Sequence, residues 1–283
     1  MAETAFQTHY RTTFIAGFEQ RQSLLRDTVT TEAVIKGNQA IFLVADSGGA
    51  TAVTRGVNGR IPGRPDNNVQ NTATLVEYHD KVEKTGFNIF ASQGDQKLIM
   101  QMSSMGVINR TIDDNILDAI AAATITTGSA APLTVALFAK AQATLSAAKV
   151  PWDGNITLVC SGAALGVLQL APEFSSADYV GGKPNVDDPS WRDKPQAYRW
   201  RNVLIIAHPM LCNTASPASE VAYMYHRSSV GHAVNTAGID SVVDYNKEDD
   251  YSYARTSVFM GGKLLQNSGV VKINHDATGL YGS

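Results

Sequence analysis

Covalent chemistry needs a nucleophile, a base and a group that orients the base, and Ser161, His208 and the pair Asp187 and Asp188 supply those residue types in one half of the chain. They match by type alone, because no GxSxG turn surrounds Ser161. A soluble α/β hydrolytic enzyme is therefore the weakest reading the sequence leaves open. His9, His79, His208, His226, His232 and His275 never fall at zinc-ligand spacing with a cysteine or another histidine. Glu248, Asp249 and Asp250, with Asp240 and Asp244 nearby, can be drawn as a hard-cation site, but they lack the ligand alternation of a calcium loop. GxGxxG, GxxxxGK[ST] and HExxH are all missing. We expect no catalytic residue, no cofactor and no metal ligand. What remains is cationic: Arg55, Arg60 and Arg64 lie in a stretch, residues 46–71, with five glycines, two prolines and no acid between Asp46 and Asp66. Guanidinium groups so placed suit a carboxylate-bearing partner.

The elements around that stretch read as strands. Residues 40–44 (AIFLV) are a compact apolar run and residues 72–82 (TATLVEYHDKV) are rich in β-branched side chains, so the arginines sit on the tip of an extended hairpin. Loops longer than about 12 to 15 residues are uncommon in compact domains and tend to be functional or disordered. Next comes one long helix over residues 92–124. Leu98, Met102, Met105, Ile112, Ile116 and Ile120 share a face, Ser92 and Asp95 suit its start, and Gly128 with Pro132 its stop. At about 1.5 Å per residue it would span roughly 50 Å. Gly106 near its middle predicts a bend or a close contact there. Ahead of the hairpin, residues 1–31 read as an arm, with Phe14, Phe18, Arg21 and Leu25 on one face of a short helix.

Residues 131–235 alternate in type. A helix over 133–148 with Pro132 at its first turn, a buried strand over 155–160, a helix capped by Ser161 that falters at Pro172, and strands over 198–207 and 221–226 describe a small α/β domain. A Gly, Pro and Asp-rich loop covers 180–196. Strand chemistry returns at 241–245, 251–259, 263–265 and 269–273, and its pairing partners must lie earlier in the chain. The tail is expected beside the long helix, with the α/β domain inserted between.

Of 283 residues only 17% are charged, against roughly 25% in an average soluble protein, while the apolar share of 44% is ordinary. Small polar residues fill the gap, a composition that extensive subunit contact favours and that a low-charge monomer also satisfies. A net charge of −3 advertises neither a nucleic-acid nor an acidic-membrane surface. Cys160 and Cys212, in the apolar runs TLVC and HPMLC, read as buried thiols of a reducing compartment. The N-terminus lacks an apolar signal region and no run of about 18 apolar residues occurs, so a secreted or membrane-spanning chain is not expected.

The order of arm, Arg/Gly/Pro-tipped hairpin, long helix, inserted α/β domain and returning strands resembles the major capsid protein of tailed bacteriophages, the Hong Kong 97-type fold that encapsulin shells share. FIAGFEQRQSLLRDTV, KGNQAIFLVADSGGATAVTRG and TATLVEYHDKVEK resemble the opening of phage coat sequences. The resemblance implies an α+β fold with a division into an N-terminal arm (1–31), an E-loop hairpin (32–85), a peripheral domain with a spine helix (86–130 and 236–283) and an axial α/β domain (131–235). It implies pentamers and hexamers in an icosahedral shell that encloses double-stranded DNA without reading its sequence, with Arg55, Arg60 and Arg64 at inter-subunit contacts and the 180–196 loop near the capsomer axis. A separate scaffolding protein or prior cleavage, a portal, a possible decoration protein, and assembly in the host bacterial cytoplasm into the virion follow in the same way. An encapsulin-like compartment is the alternative within the fold. Some members crosslink through a hairpin lysine, but no lysine lies between Gly37 and Asp80.

Overall fold

The computed structural model describes residues 20, 22–31, 33–47, 49–56, 58–64, 67–86, 88, 95–128, 131–175, 197–235 and 238–281. Most of the expected arm, Ser92, Asp187, Asp188 and the 180–196 loop lie outside the described residues. Two compact units are present, one of residues 1–23, 76–113 and 234–260, the other of 24–75, 114–233 and 261–283.

In the second unit, β1 (Val34–Lys36), β2 (Gln39–Val44) and β3 (Val69–Thr74) make an antiparallel sheet in that order. Gly37, with φ of +59°, opens the two-residue turn between β1 and β2, where a tight hairpin requires glycine. Only one end of this sheet has a core: Ala40, Phe42, Ala73 and Ala233, with Ala33, Ile35, Leu75 and Leu265 against them. Phe42 lies so close to Gly231 that a Cβ there would meet its ring at 2.7 Å. Gly261 likewise leaves no room for a side chain against the Thr74 carbonyl.

The first unit holds β4 (Val76–Thr85) and most of α1 (Gln96–Ala121), a helix of 26 residues and about 39 Å. Asp95 caps it: its Oδ1 accepts from Leu98 N at 3.2 Å and its carbonyl from Ile99 N at 3.1 Å. The helix runs on through a buried Gly106. Its inward line corrects the expected one. Met100, Ser104, Ile108, Ile112, Ile116 and Ile120 are buried, whereas Leu98 and Met102 are 52% and 45% exposed. The reason is polar packing, to which apolar periodicity is blind. Ser104 Oγ lies 2.9 Å from Thr256 Oγ1 and 3.3 Å from the Asp80 carbonyl, Gln101 Nε2 donates to Ser241 Oγ at 3.2 Å, and Lys84 Nζ donates to Gln96 Oε1 at 2.5 Å.

After β5 (Thr126–Gly128), the second unit builds its main layer from α2 (Val135–Ala147), β6 (Ile156–Cys160), α3 (Gly162–Leu170), a turn of helix α4 (Pro172–Ser175), β7 (Ala197–Trp200), β8 (Val203–Ala207) and β9 (Glu220–His226). Thr134, rather than Pro132, starts α2, its hydroxyl accepting from Leu137 N, and Ser161 caps α3 as expected. The stretch read as one strand over 198–207 is a hairpin. Arg201 and Asn202 both have positive φ, 46° and 63°, the double left-handed turn that joins twisted strands in two residues.

The chain continues through β10 (Val230–Val234), β11 (Asp240–Asn246), β12 (Tyr251–Leu264) and β13 (Val270–His275). β12 pairs antiparallel with β11 on one side and with β4 on the other, from Tyr251↔Thr85 to Met260↔Val76. β13 departs from the expected tail: it enters the six-stranded sheet of order β5-β13-β9-β6-β8-β7. Leu133, Phe138, Leu145, Leu158, Leu168 and Ile273 are among the fully buried residues that close that sheet against α2 and α3. Phe138 packs on Trp200 with ring centroids 4.8 Å apart.

The two glycine contacts generate a direct test. Gly231→Ala and Gly261→Ala each place a methyl group where an aromatic ring or a backbone carbonyl already stands. Each is expected to cost about 1 to 3 kcal/mol of stability, read as a lower urea-denaturation midpoint at unchanged slope. Midpoints within error of the parent would show that the close approaches do not exist.

Candidate functional site

The arginine-bearing connection between β2 and β3 is a solvent-facing ribbon over its described residues. Every described residue from 45 to 70 is exposed, among them Val53 at 61% and Ile61 at 70%. Several bonds join its own residues. Gly56 N donates to the Arg60 carbonyl at 3.0 Å and Gly59 N to the Gly56 carbonyl at 2.8 Å, with Gly59 at φ of +70°, so Gly56, Gly59 and Arg60 mark the terminal turn. Arg55 and Arg60 flank this turn, both exposed. Arg64, also exposed, lies lower on the ribbon, where its Nη1 donates to the Ser47 carbonyl at 3.0 Å and ties the two arms together. The structure thus separates the three expected contact residues into a pair at the tip and one that braces the ribbon.

The residues that could have been catalytic are placed as structure. Ser161 is fully buried, caps α3 through Ala164 N at 3.2 Å and donates to Glu220 Oε2 at 2.6 Å. Its proton therefore goes to a carboxylate and not to an imidazole. His208, also fully buried, accepts from Met210 N at Nδ1 at 3.3 Å. Glu220 itself is 1% exposed. Burial works to raise its pKa, but the hydrogen bonds from Ser161, Tyr281 and Asn213 N outweigh burial and hold the carboxyl below the usual carboxylate range. Such an anion is a poor base. Burial pushes the neighbouring Cys160 thiol up to about 12, which leaves it inert.

Sequence reading missed an Asp153, His226 and Ser228 array. His226 Nε2 is 3.0 Å from Asp153 Oδ1, and its Nδ1 is 2.8 Å from Ser228 Oγ and accepts from Ser228 N at 3.2 Å. The backbone donor fixes Nδ1 as the unprotonated nitrogen, so Nε2 donates to Asp153. Hydrogen bonds from the Asn155 side chain, then its backbone and His226, keep the Asp153 carboxyl down at about 2. His226 here caps the turn Arg227–Ser229, and the array fastens the end of β9 to the turn at residue 153. Among the described residues, no group of three or more His, Cys, Asp or Glu is arranged to hold a metal ion, and no helix is long and apolar enough to cross a membrane. The acids at 248–250 belong to the β11–β12 turn, where Asn246 Oδ1 accepts from Glu248 N at 2.9 Å and Tyr245 OH donates to Asp250.

A charged sheet face was also missed, although its signal is present in the sequence. Alternate residues of β4, Glu77, His79, Lys81 and Glu83, all point outward and are exposed. His79 pairs with Glu77 at 2.7 Å, Arg255 with Asp240 at 3.7 Å, and Lys81 with Glu83. Lys81 also donates to Tyr251 OH at 3.0 Å and lies 5.0 and 5.1 Å from the Tyr251 and Tyr253 ring centroids. The hydrogen bonds to Glu83 and then Tyr251 hold its pKa above the ordinary lysine value.

The buried acid of β9 has a pH signature. His275, at the end of β13, is pushed below the usual histidine value by burial, an effect that Glu220 and Asp276 only reduce. Both Glu220 and His275 therefore bind protons less readily folded than unfolded. The unfolded chain takes up protons first as pH falls, at about 6.5 for histidine and about 4.3 for glutamate, so stability declines with acidification. The urea midpoint is expected to fall from pH 7 towards pH 4, and His275→Gln should flatten the first part of that decline. A midpoint constant over this range, or an unaltered profile in the variant, contradicts the assignment.

Comparison with solved structures places the architecture among phage capsids. A chain from Mycobacterium phage Che8 superposes with a TM-score of 0.71 at 15% identity, covering 96% of this chain and 98% of that one. The capsid of Ralstonia phage GP4 gives 0.74 at 11% identity over 99% and 98%, and the cyanophage Pam1 capsid gives 0.70 at 14% identity over 99% and 98%. No curated protein sequence matches the chain. The α+β fold expected from the resemblance, the Hong Kong 97-type capsid fold, is the one observed. A sequence model described as phage capsid protein matches residues 2–277, and the chain belongs to that family.

Proposed function

We propose that this capsid protein builds its shell as pentamers and hexamers of itself, in an icosahedral lattice around double-stranded DNA, and that the ribbon tip carries the contact between neighbouring copies. The carrying observation is the ribbon: the described residues from 45 to 70 expose apolar and cationic side chains together, and none of them is buried. A lone two-stranded ribbon is marginal in water, so it calls for another surface to lie on. Residues 32–85 are then the E-loop, whose last strand β4 pairs with β12, β11 and β12 with α1 the peripheral domain, and the six-stranded sheet with α2 and α3 the axial domain. This assignment gives β13 to the axial domain, where its pairing with β9 and β5 supports it. The role is structural and not catalytic, with the protein residing in the capsid of the virion after assembly in the host bacterial cytoplasm. A separate scaffolding protein, a portal and a decoration protein are the partners such a shell would use. Net charge of −3 suits a coat that encloses DNA without gripping it.

Arg60→Glu inverts the charge at the tip without touching a core. The purified parent, alone or with a scaffold, is expected to form shells or capsomers by negative-stain microscopy. The variant should give several-fold fewer shells with an unchanged circular dichroism spectrum and melting temperature. A parent that stays a monodisperse monomer under all conditions would overturn the shell reading. Equal yields from parent and variant would remove Arg60 from the contact.

A further inference from the structure

The last described residues close over the buried carboxylate of β9. Three donors from separate stretches converge on Glu220: Ser161 Oγ at 2.6 Å on Oε2, with Asn213 N at 2.8 Å and Tyr281 OH both on Oε1. His275 Nε2 stands 3.9 Å from Oε2, and Cys212 lies beside Tyr281. Past His275 the chain leaves the sheet. Asp276 N donates to the Ala131 carbonyl at 3.0 Å, Ala277 N to the Pro217 carbonyl at 2.9 Å and Leu280 N to the Ala277 carbonyl at 2.9 Å. Asp276 Oδ1 accepts from both Thr278 N at 2.8 Å and Thr278 Oγ1 at 2.5 Å. Ala277 is fully buried, Thr278, Gly279 and Leu280 are exposed, and Tyr281 returns half-buried to reach Glu220.

We propose that residues 276–281 are a releasable strap, locked by the Tyr281 hydroxyl on Glu220, and that the closed strap keeps loop 208–219 ordered and Cys212 shielded from solvent. The lock is strong for its size because the acceptor is a carboxylate, and hydrogen bonds to ionised groups are about twice as strong as neutral ones. It is also coupled. Tyr281 and Asn213 share one oxygen, so release of the hydroxyl admits water to the atom that holds the 213 backbone. The other oxygen takes Ser161, which caps α3, so the first turn of that helix senses the same carboxylate. Release therefore loosens the strap, the 208–219 loop and the start of α3 together, while the β9–β13 ladder stays closed on its own backbone bonds.

The device belongs to a single subunit, so its test is independent of shell formation. Hydrogen exchange on the full chain at fixed pH, with Tyr281→Phe, reads it directly. The Leu280 and Asn213 amides are expected to exchange about tenfold faster or more, and Cys212 to react faster with a maleimide by a similar factor. Amides of the β9–β13 ladder should keep their parent rates. Glu220→Gln, which retains shape and removes charge, should give the same pattern; if it fails to fold, the phenylalanine variant still decides. Unchanged rates at Leu280 and Asn213 overturn the lock. Faster exchange at Leu280 alone overturns control of the loop, and a uniform rise across the sheet reduces Tyr281 to an ordinary stabilising contact.

Discussion

Burial fails along one stretch of this chain, and the rest of the molecule is arranged around that failure. A two-stranded ribbon satisfies its backbone across one seam only and has no third layer to cover its side chains. β2 and β3 have a core at one end, where Phe42 lies between Ala40, Ala73 and Ala233. At the other end, Val44 pairs with Val69 and the strands run on into a connection whose described residues are all exposed. Apolar groups such as Leu43, 75% exposed, and Ile61 remain at the surface because the described residues offer them no cover.

An element that reaches outward needs a root that does not give. Close backbone approach supplies it. Gly231 admits the Phe42 ring, Gly261 admits the Thr74 carbonyl, and Gly262 brings β12 to a point where a Cβ would meet the Asn115 carbonyl of α1 at 2.8 Å. Asn71 adds a side-chain bond to the Leu265 carbonyl at 3.4 Å. These contacts act where the ribbon leaves the body, so their stiffness bears on the direction of the tip although none of them touches it.

The topology was legible because it is written in long signals: a 26-residue helix, two flanking strand runs, a glycine and proline-rich tip. Local choices made by tertiary contact were not. The inward face of α1 was misread at Leu98 and Met102 because that face carries Ser104 and Gln101 and meets Thr256 and Ser241, residues that carry no hydrophobic period. Arg201 and Asn202 broke an apparent single strand without a glycine to announce the turn. β13 was misplaced because its sequence suits any sheet edge, and only the parallel pairing with β5 and antiparallel pairing with β9 fix it. For the site, Arg55, Arg60 and Arg64 were found by composition, yet no pattern in the letters says that Arg64 braces the ribbon through Ser47. Asp153 and His226 are 73 residues apart, beyond any spacing rule.

Low charge takes on a different meaning once the charges are located. At 17% of residues they are too few to coat the surface, and some of them gather in two places: the ribbon tip and the outward face of the β4–β12–β11 sheet. On that face the side chains are already partnered, the His79 ring with Glu77, Lys81 with Glu83, Arg255 with Asp240, and exposed ion pairs contribute little to stability. Charge that adds little to folding, on a sheet whose other face is tied to a helix through serine and threonine hydroxyls, is better understood as surface chemistry than as structural support. The same holds for the fold at large. Chains from the Ralstonia phage GP4 capsid and from Mycobacterium phage Che8 share 11% and 15% of residues with this one and still superpose at TM-scores of 0.74 and 0.71. What such chains have in common is a shape, and a shape can be specified by small residues at close approaches and by hydroxyls at layer contacts as well as by a large apolar core.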